Sequence, residues 1–241
     1  MAFALTQYHD RRNETAEAVQ WAKLANGLVA RFGRAYDRGA AERLTSEQFE
    51  LFDRLPEARE ALLNQPRPLV VVGLPRSGTS LLESLLAAHP DVTAGGERTD
   101  LILACQEIEI VLRSKGVDAA CRLFSRRRDG LIVELADRLC TAGIRSEVYL
   151  DKLPLNTPYA GLIARLLPEA RILFVRRNPV ETALSIWLHD FSQAYPYSND
   201  LTTLAHALAL NDRLLEAWRC RLGDQFLEVD HDALCADPKN E

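Results

Sequence analysis

The sequence predicts an α/β fold of three layers, with a central parallel sheet of about five strands flanked by helices and a helical segment in front of it. Three observations predict it. From Leu69 onward, short apolar runs alternate with stretches of helical spacing, the signature of βαβ units with right-handed crossovers. The first apolar run, Leu69–Val72, enters a loop rich in Gly, Ser and Thr that opens a helix. Ahead of Pro66 the spacing is helical throughout.

Taken in order, Glu14–Phe32 places Ala18, Ala22, Ala25, Val29 and Phe32 at helical spacing, and Ser46–Leu63 does the same with Phe49, Phe52, Leu55 and Leu62. Pro66 and Pro68 then punctuate the chain, because proline removes a donor and disfavours helix in the residue before it. These features divide the chain into an N-terminal helical segment, residues 1–65, packed on a main α/β domain, residues 66–241. After the first strand, Leu81, Leu82, Leu85 and Leu86 give a helix an apolar side, and His89-Pro90 stops it. Asp91–Ala94 reads as a short strand leading to Gly95-Gly96-Glu97, and Asp100–Gly143 as mainly helical. Within that region Arg126, Arg127 and Arg128, beside Arg122, are better read as a solvated helix face than as an acceptor-binding patch.

Val148–Leu150 is the next strand, running into Asp151-Lys152-Leu153-Pro154; a helix from Pro158 to Leu167 separates it from the strand Arg171–Val175. Asn178 is placed to cap the following helix, with Pro179 at its first position and Glu181 completing a capping-box-like pair. Val180, Ala183, Leu184, Trp187, Leu188 and Phe191 are its expected buried stripe, which leaves Ser185 off the apolar line. A helix over Leu201–Leu222 and a strand over Phe226–Val229 complete the pattern. In parallel sheets ligands collect beyond the carboxyl ends of the strands. Gly73–Thr79, Gly95–Glu97, Asp151-Lys152 and Arg176-Arg177 should therefore converge.

Composition bounds the function. With 241 residues, 47% apolar and 26% charged, the chain can bury a real core. A formal net charge of −5 argues against a general nucleic-acid binder and leaves room only for local anion sites. The cysteines Cys105, Cys121, Cys140, Cys220 and Cys235 are scattered, with no C-x-x-C pair, so reduced thiols are expected and no metal site. There is no leader-like or membrane-length apolar run, which points to a soluble, cytoplasmic protein.

The loop carries the chemistry. Backbone N–H groups converging at a helix start, reinforced by the helix dipole, favour an anion shaped like a phosphate. Gly73 and Gly78 keep the spacing of the nucleoside-triphosphatase loop G-x-x-x-x-G-K-S/T, but Thr79 stands where its lysine belongs. A cation occurs instead at Arg76, inside the loop. The fold is thus of P-loop type, with a loop suited to a shorter, differently charged group than a triphosphate with magnesium.

The stretches GLPRSGTSLLESLLAAHPDV, GGE, YLDKLPLN, ARILFVRRNPVETALSIW and FLEVDHDAL resemble the sulfotransferases that use 3′-phosphoadenosine-5′-phosphosulfate. The resemblance is nearest to the branch holding the tyrosylprotein sulfotransferases and bacterial enzymes fused to tetratricopeptide repeats. It implies that Pro75, Arg76, Ser77, Gly78, Thr79 and Ser80 cradle the 5′-phosphosulfate, and that Arg177 and Ser185 hold the ribose 3′-phosphate. It further implies Glu97 as the base for the acceptor hydroxyl, with Arg76 and Lys152 on the sulfuryl and leaving oxygens, and no metal. The acceptor is a carbohydrate, a peptide tyrosine or a small metabolite. His231 stands where relatives commonly carry a tyrosine, and relatives continue past the position of Glu241 with a segment that helps close over the nucleotide, so a truncated C-terminal end is expected. The competing readings are an atypical P-loop kinase and a truncated, non-catalytic nucleotide-binding protein.

Overall fold

The computed structural model describes residues 1–57, 66–191 and 194–238. The chain opens with α1 (Ala2–Arg11), a helix that the sequence pattern did not announce, packed along α2 (Thr15–Phe32). Phe32, expected on the buried side of α2, is exposed at its end, with the Arg31 guanidinium over its ring. Next comes α3 (Arg38–Arg54), which starts well before the expected Ser46 because Asp37 caps it, its Oδ1 accepting from the Ala40 N–H at 2.9 Å. The far end of that expected stretch, including Leu62, lies outside the described residues.

The sheet follows: β1 (Arg67–Gly73), then α4 (Thr79–Leu86), β2 (Val92–Ala94), α5 (Asp100–Lys115) and α6 (Val117–Thr141). Gly116, at a φ of 76°, breaks the expected single helical region into these two. After β3 (Val148–Lys152), a 3-10 turn over Pro154–Tyr159 leads into α7 (Ala160–Leu166), two residues after the expected start at Pro158. The remainder is β4 (Arg171–Arg176), α8 (Pro179–Trp187), α9 (Leu201–Leu222), β5 (Phe226–Asp230) and α10 (His231–Ala236). All five strands pair in parallel in the order β2-β3-β1-β4-β5. The expected parallel α/β architecture is thus what the chain adopts.

Alternation along the strands sorts the core into layers. Val70 and Val72 of β1, with Ile172 and Phe174 of β4, face the larger cluster, which includes Phe52 of α3, Leu112 of α5, Phe124 of α6 and Trp218 of α9. Val71, Leu150 and Leu173 face the opposite side, where Leu82 of α4 and Leu234 of α10 cover them. A third cluster joins Ala22 of α2 to Ile186 and Trp187 of α8 and Leu204 of α9. There the buried Asn26 Nδ2 donates to the Ala22 carbonyl at 3.0 Å and to the Trp187 carbonyl at 2.9 Å, fastening α2 to the end of α8.

Two expected apolar stripes are turned. On α8, Thr182, Ile186 and Trp187 are buried, whereas Val180 and Leu184 are 74% and 52% exposed. The helix touches α9 and α2 along one side only, and its i, i+4 neighbours Val180 and Leu184 face away from that side. On α4, Leu82 is buried, while Leu81 and Leu85 are exposed. Among the described residues, no helix is long and apolar enough to cross a membrane.

Candidate functional site

The loop between β1 and α4 is held open by backbone geometry. Gly73 has a φ of +141°, and a Cβ there would lie 2.7 Å from the Val175 carbonyl oxygen of the neighbouring strand, so only glycine fits. Its N–H donates to Thr157 Oγ1 at 2.9 Å, and the Thr157 hydroxyl lies 3.0 Å from the Gly73 carbonyl oxygen and 2.8 Å from that of Pro154. This buried threonine therefore clamps the strand end. Arg76 takes a φ of 68°, a left-handed conformation for a residue with a side chain, and Gly78 a φ of 102°. The first helical N–H with a partner is that of Leu81, bonded to the Gly78 carbonyl at 3.0 Å, and no side chain caps the N–H groups before it. A loop with this geometry offers donors to an anion. His231, at the start of α10, closes one side: a Cβ on Gly78 would lie 2.1 Å from its ring.

The second set of candidate residues, Arg177 and Ser185, meets the loop directly. Arg76 Nε donates to Ser185 Oγ at 3.0 Å, and Arg177 Nη1 donates to the Arg76 carbonyl at 3.2 Å. Asn178 caps α8 as expected, its Oδ1 accepting from the N–H groups of Val180 at 2.9 Å and Glu181 at 3.3 Å. Glu181 does not complete the expected capping box: its Oε2 takes a hydrogen bond from Arg177 Nη2 at 2.7 Å. Arg177 Nε is buried and has no partner. The Glu181 carboxylate is more than half exposed, so this ion pair is weak enough for a phosphate to displace.

Beyond β3, Lys152 Nζ donates to Glu97 Oε1 at 2.7 Å. Both Asp151 and Lys152 lie within the strand rather than after it, so they point to opposite faces. Asp151 makes no ion pair with Lys152: Tyr149 OH donates to its Oδ2 at 3.0 Å and Asn156 Nδ2 to its Oδ1 at 2.6 Å. Burial pushes the Asp151 carboxyl up to about 7, against the pull of its hydrogen bond from Tyr149. Tyr195 stands near Glu97; burial and that carboxylate both raise its phenol above the ordinary value.

A cavity of about 310 Å³ opens beside the loop. Gly73, Leu74 and Pro75 form its floor, and Tyr36, Tyr195 and Tyr197 its aromatic wall, with Arg34, Asp37 and Arg113 also lining it. Its N-terminal wall is the link between α2 and α3, so the helical segment shapes the cavity.

The sequence-marked residues Arg76, Ser185 and Arg177 thus come together around the loop, and Lys152 and Glu97 pair with each other. Three residues of this region carry no sequence signal: Thr157, Tyr195 and Glu83, whose Oε2 lies 3.6 Å from Lys152 Nζ. Each acts through a partner distant in the chain. Arg127, from the basic run, pairs with Glu107 and Glu134, in keeping with a solvated helix face. Among the described residues no three His, Cys, Asp or Glu side chains group as a metal would need.

A parallel α/β protein of P-loop type, with an uncapped glycine-containing loop and arginines at the carboxyl ends of its strands, is the class that fold and site define. The chain belongs to the sulfotransferase family, whose model matches residues 68–241. It is 26% identical over 250 residues to an uncharacterised protein of Aquifex aeolicus, covering 98% of this chain and 32% of that one. A protein-tyrosine sulfotransferase of Drosophila melanogaster is 28% identical over 165 residues, 61% of this chain and 31% of the relative. The nodulation protein NoeE of Sinorhizobium fredii is 35% identical over 136 residues, 50% of this chain and 32% of the relative. The chain spans about a third of the length of these relatives.

Proposed function

We propose that this chain transfers a sulfuryl group from 3′-phosphoadenosine-5′-phosphosulfate to a hydroxyl acceptor. The observation that carries the reading is the junction of two anion sites: Arg76 of the loop bonds Ser185, and Arg177 bonds the Arg76 carbonyl. A donor with a 5′-phosphosulfate and a 3′-phosphate has two anionic ends, and one connected surface serves both. Pro75, Arg76, Ser77, Gly78, Thr79 and Ser80 cradle the phosphosulfate, while the unpaired Arg177 Nε and the Ser185 hydroxyl suit the 3′-phosphate.

In the reaction the acceptor oxygen forms a bond to sulfur as the bond from sulfur to the 5′-phosphate oxygen breaks. The electron pair leaves on that phosphate oxygen, giving adenosine 3′,5′-bisphosphate, and the acceptor proton passes to Glu97. Arg76 and Lys152 stabilise the sulfuryl oxygens and the leaving oxygen, so positioning and charge supply the catalysis and no metal takes part. The acceptor body lies in the cavity beside Pro75, whose lining includes Tyr195, the neighbour of Glu97. Peptide tyrosine, carbohydrate and small metabolite acceptors all present the required group.

Transfer from sulfur-35-labelled donor to an acceptor panel, without magnesium, tests the reading. Glu97→Ala is expected to lose about two to four decades of turnover while binding adenosine 3′,5′-bisphosphate like the parent chain. Normal turnover in that variant removes Glu97 from the base role. Magnesium-dependent ATP consumption without sulfuryl transfer points to a kinase, and nucleotide binding without transfer to any acceptor points to a non-catalytic protein.

A further inference from the structure

Lys152 is contacted by two carboxylates, and they are not equivalent. The Lys152 side chain is 6% exposed and sits 2.7 Å from Glu97 Oε1 and 3.6 Å from Glu83 Oε2. Glu97 is 61% exposed, whereas Glu83, on α4 directly after the anion loop, is 15% exposed. The remaining nearby acid, Asp151, faces the other side of the sheet and is held by Tyr149 and Asn156.

A buried ammonium is costly unless a counter-charge accompanies it. If Glu97 alone supplied that charge, each turnover would undo it. Glu97 can take the acceptor proton on Oε2 while Oε1 stays on Lys152, but once protonated it no longer balances the lysine. The less solvated Glu83 has no part in the proton transfer, and its attraction for the lysine is less screened by water.

We propose that Glu83 is a positioning residue, the lasting counter-charge that holds the Lys152 ammonium in place while Glu97 takes up and releases the acceptor proton. This rests on the sulfuryl-transfer reading for its role in turnover, but not for the pairing itself. Glu83 touches no reacting atom; it acts through Lys152.

The test compares Glu83→Gln, Glu83→Asp and Glu97→Gln in the full chain, each checked for folding by circular dichroism. Competitive acetylation with acetic anhydride, read by mass spectrometry, reports Lys152 against the exposed Lys23 and needs no turnover. In Glu83→Gln the relative reactivity of Lys152 is expected to rise several-fold and kcat to fall at least about tenfold, with the affinity for adenosine 3′,5′-bisphosphate within about twofold of the parent. Glu83→Asp restores most of both. Glu97→Gln leaves Lys152 as protected as in the parent chain, which keeps the test decisive if Glu83→Gln fails to fold. Unchanged Lys152 reactivity in Glu83→Gln, or equal unmasking in Glu97→Gln, overturns the assignment. If the parent chain transfers no sulfuryl group while Glu83→Gln still unmasks Lys152, the sulfuryl-transfer reading falls and the Glu83–Lys152 pair stands.

Discussion

Arg177 illustrates how much one side chain is asked to do. It braces the loop through the Arg76 carbonyl, holds Glu181 and keeps its Nε unpaired. Hydrogen bonds to a charged group contribute about 1.5–3 kcal/mol, so Arg177→Ala is expected to weaken adenosine 3′,5′-bisphosphate roughly ten- to hundredfold. Adenosine 5′-phosphosulfate, which lacks the 3′-phosphate, should lose far less, and titration calorimetry with the two ligands separates the cases. Asp151 gives a pH signature instead. Its carboxyl is raised from 3.8 to about 7, so the folded chain keeps a proton that the unfolded chain has lost. That contribution is complete below about 3.8 and disappears as the pH rises through about 7. Asp151→Asn should therefore flatten the fall in stability across this window, by a few kcal/mol at most, as read from urea denaturation at stepped pH.

Among the elements, α7 and α9 cross closely at Gly161. A Cβ on Gly161 would stand 2.4 Å and 2.5 Å from two atoms of the Trp218 ring, and that ring is buried between Phe49 and Phe52 with edge contacts at 5.1 Å and 5.6 Å. Gly161→Ala gains about 0.5–1 kcal/mol of helix preference but loses about 1–3 kcal/mol to overpacking, so the clash wins. A lowered denaturation midpoint with an unchanged m-value checks it. The strands were legible for a related reason: Val70–Gly73 and Ile172–Val175 are buried on both faces, and a continuous apolar run has few other solutions. The α8 face was not legible. Val180–Leu184 and Thr182–Ile186 are both spaced for burial, and only the position of α9 decides between them. The same limit hid Glu83 and Thr157, whose importance comes from Lys152 and Gly73, partners brought near by strand pairing. Arg76, Arg177 and Ser185 were readable because local motif and strand-end position agreed.

At the scale of the molecule, the helical segment and the sheet share one interior. Leu51, Phe52 and Leu55 join the same cluster as Phe124 and Trp218. The segment also supplies Arg34, Tyr36 and Asp37 to the cavity. The Asn26 amide, bonded to the Trp187 carbonyl, therefore has a meaning in time as well as in space. Ser185 precedes that carbonyl on α8, and α2 runs from Asn26 into the cavity wall. On the sulfuryl-transfer reading, this link from Ser185 to the wall predicts an ordered kinetic scheme, donor first and nucleotide product last. In Asn26→Ala the scheme should become random: initial-rate patterns would then show productive binding of the acceptor to the empty enzyme, which the parent chain should not display.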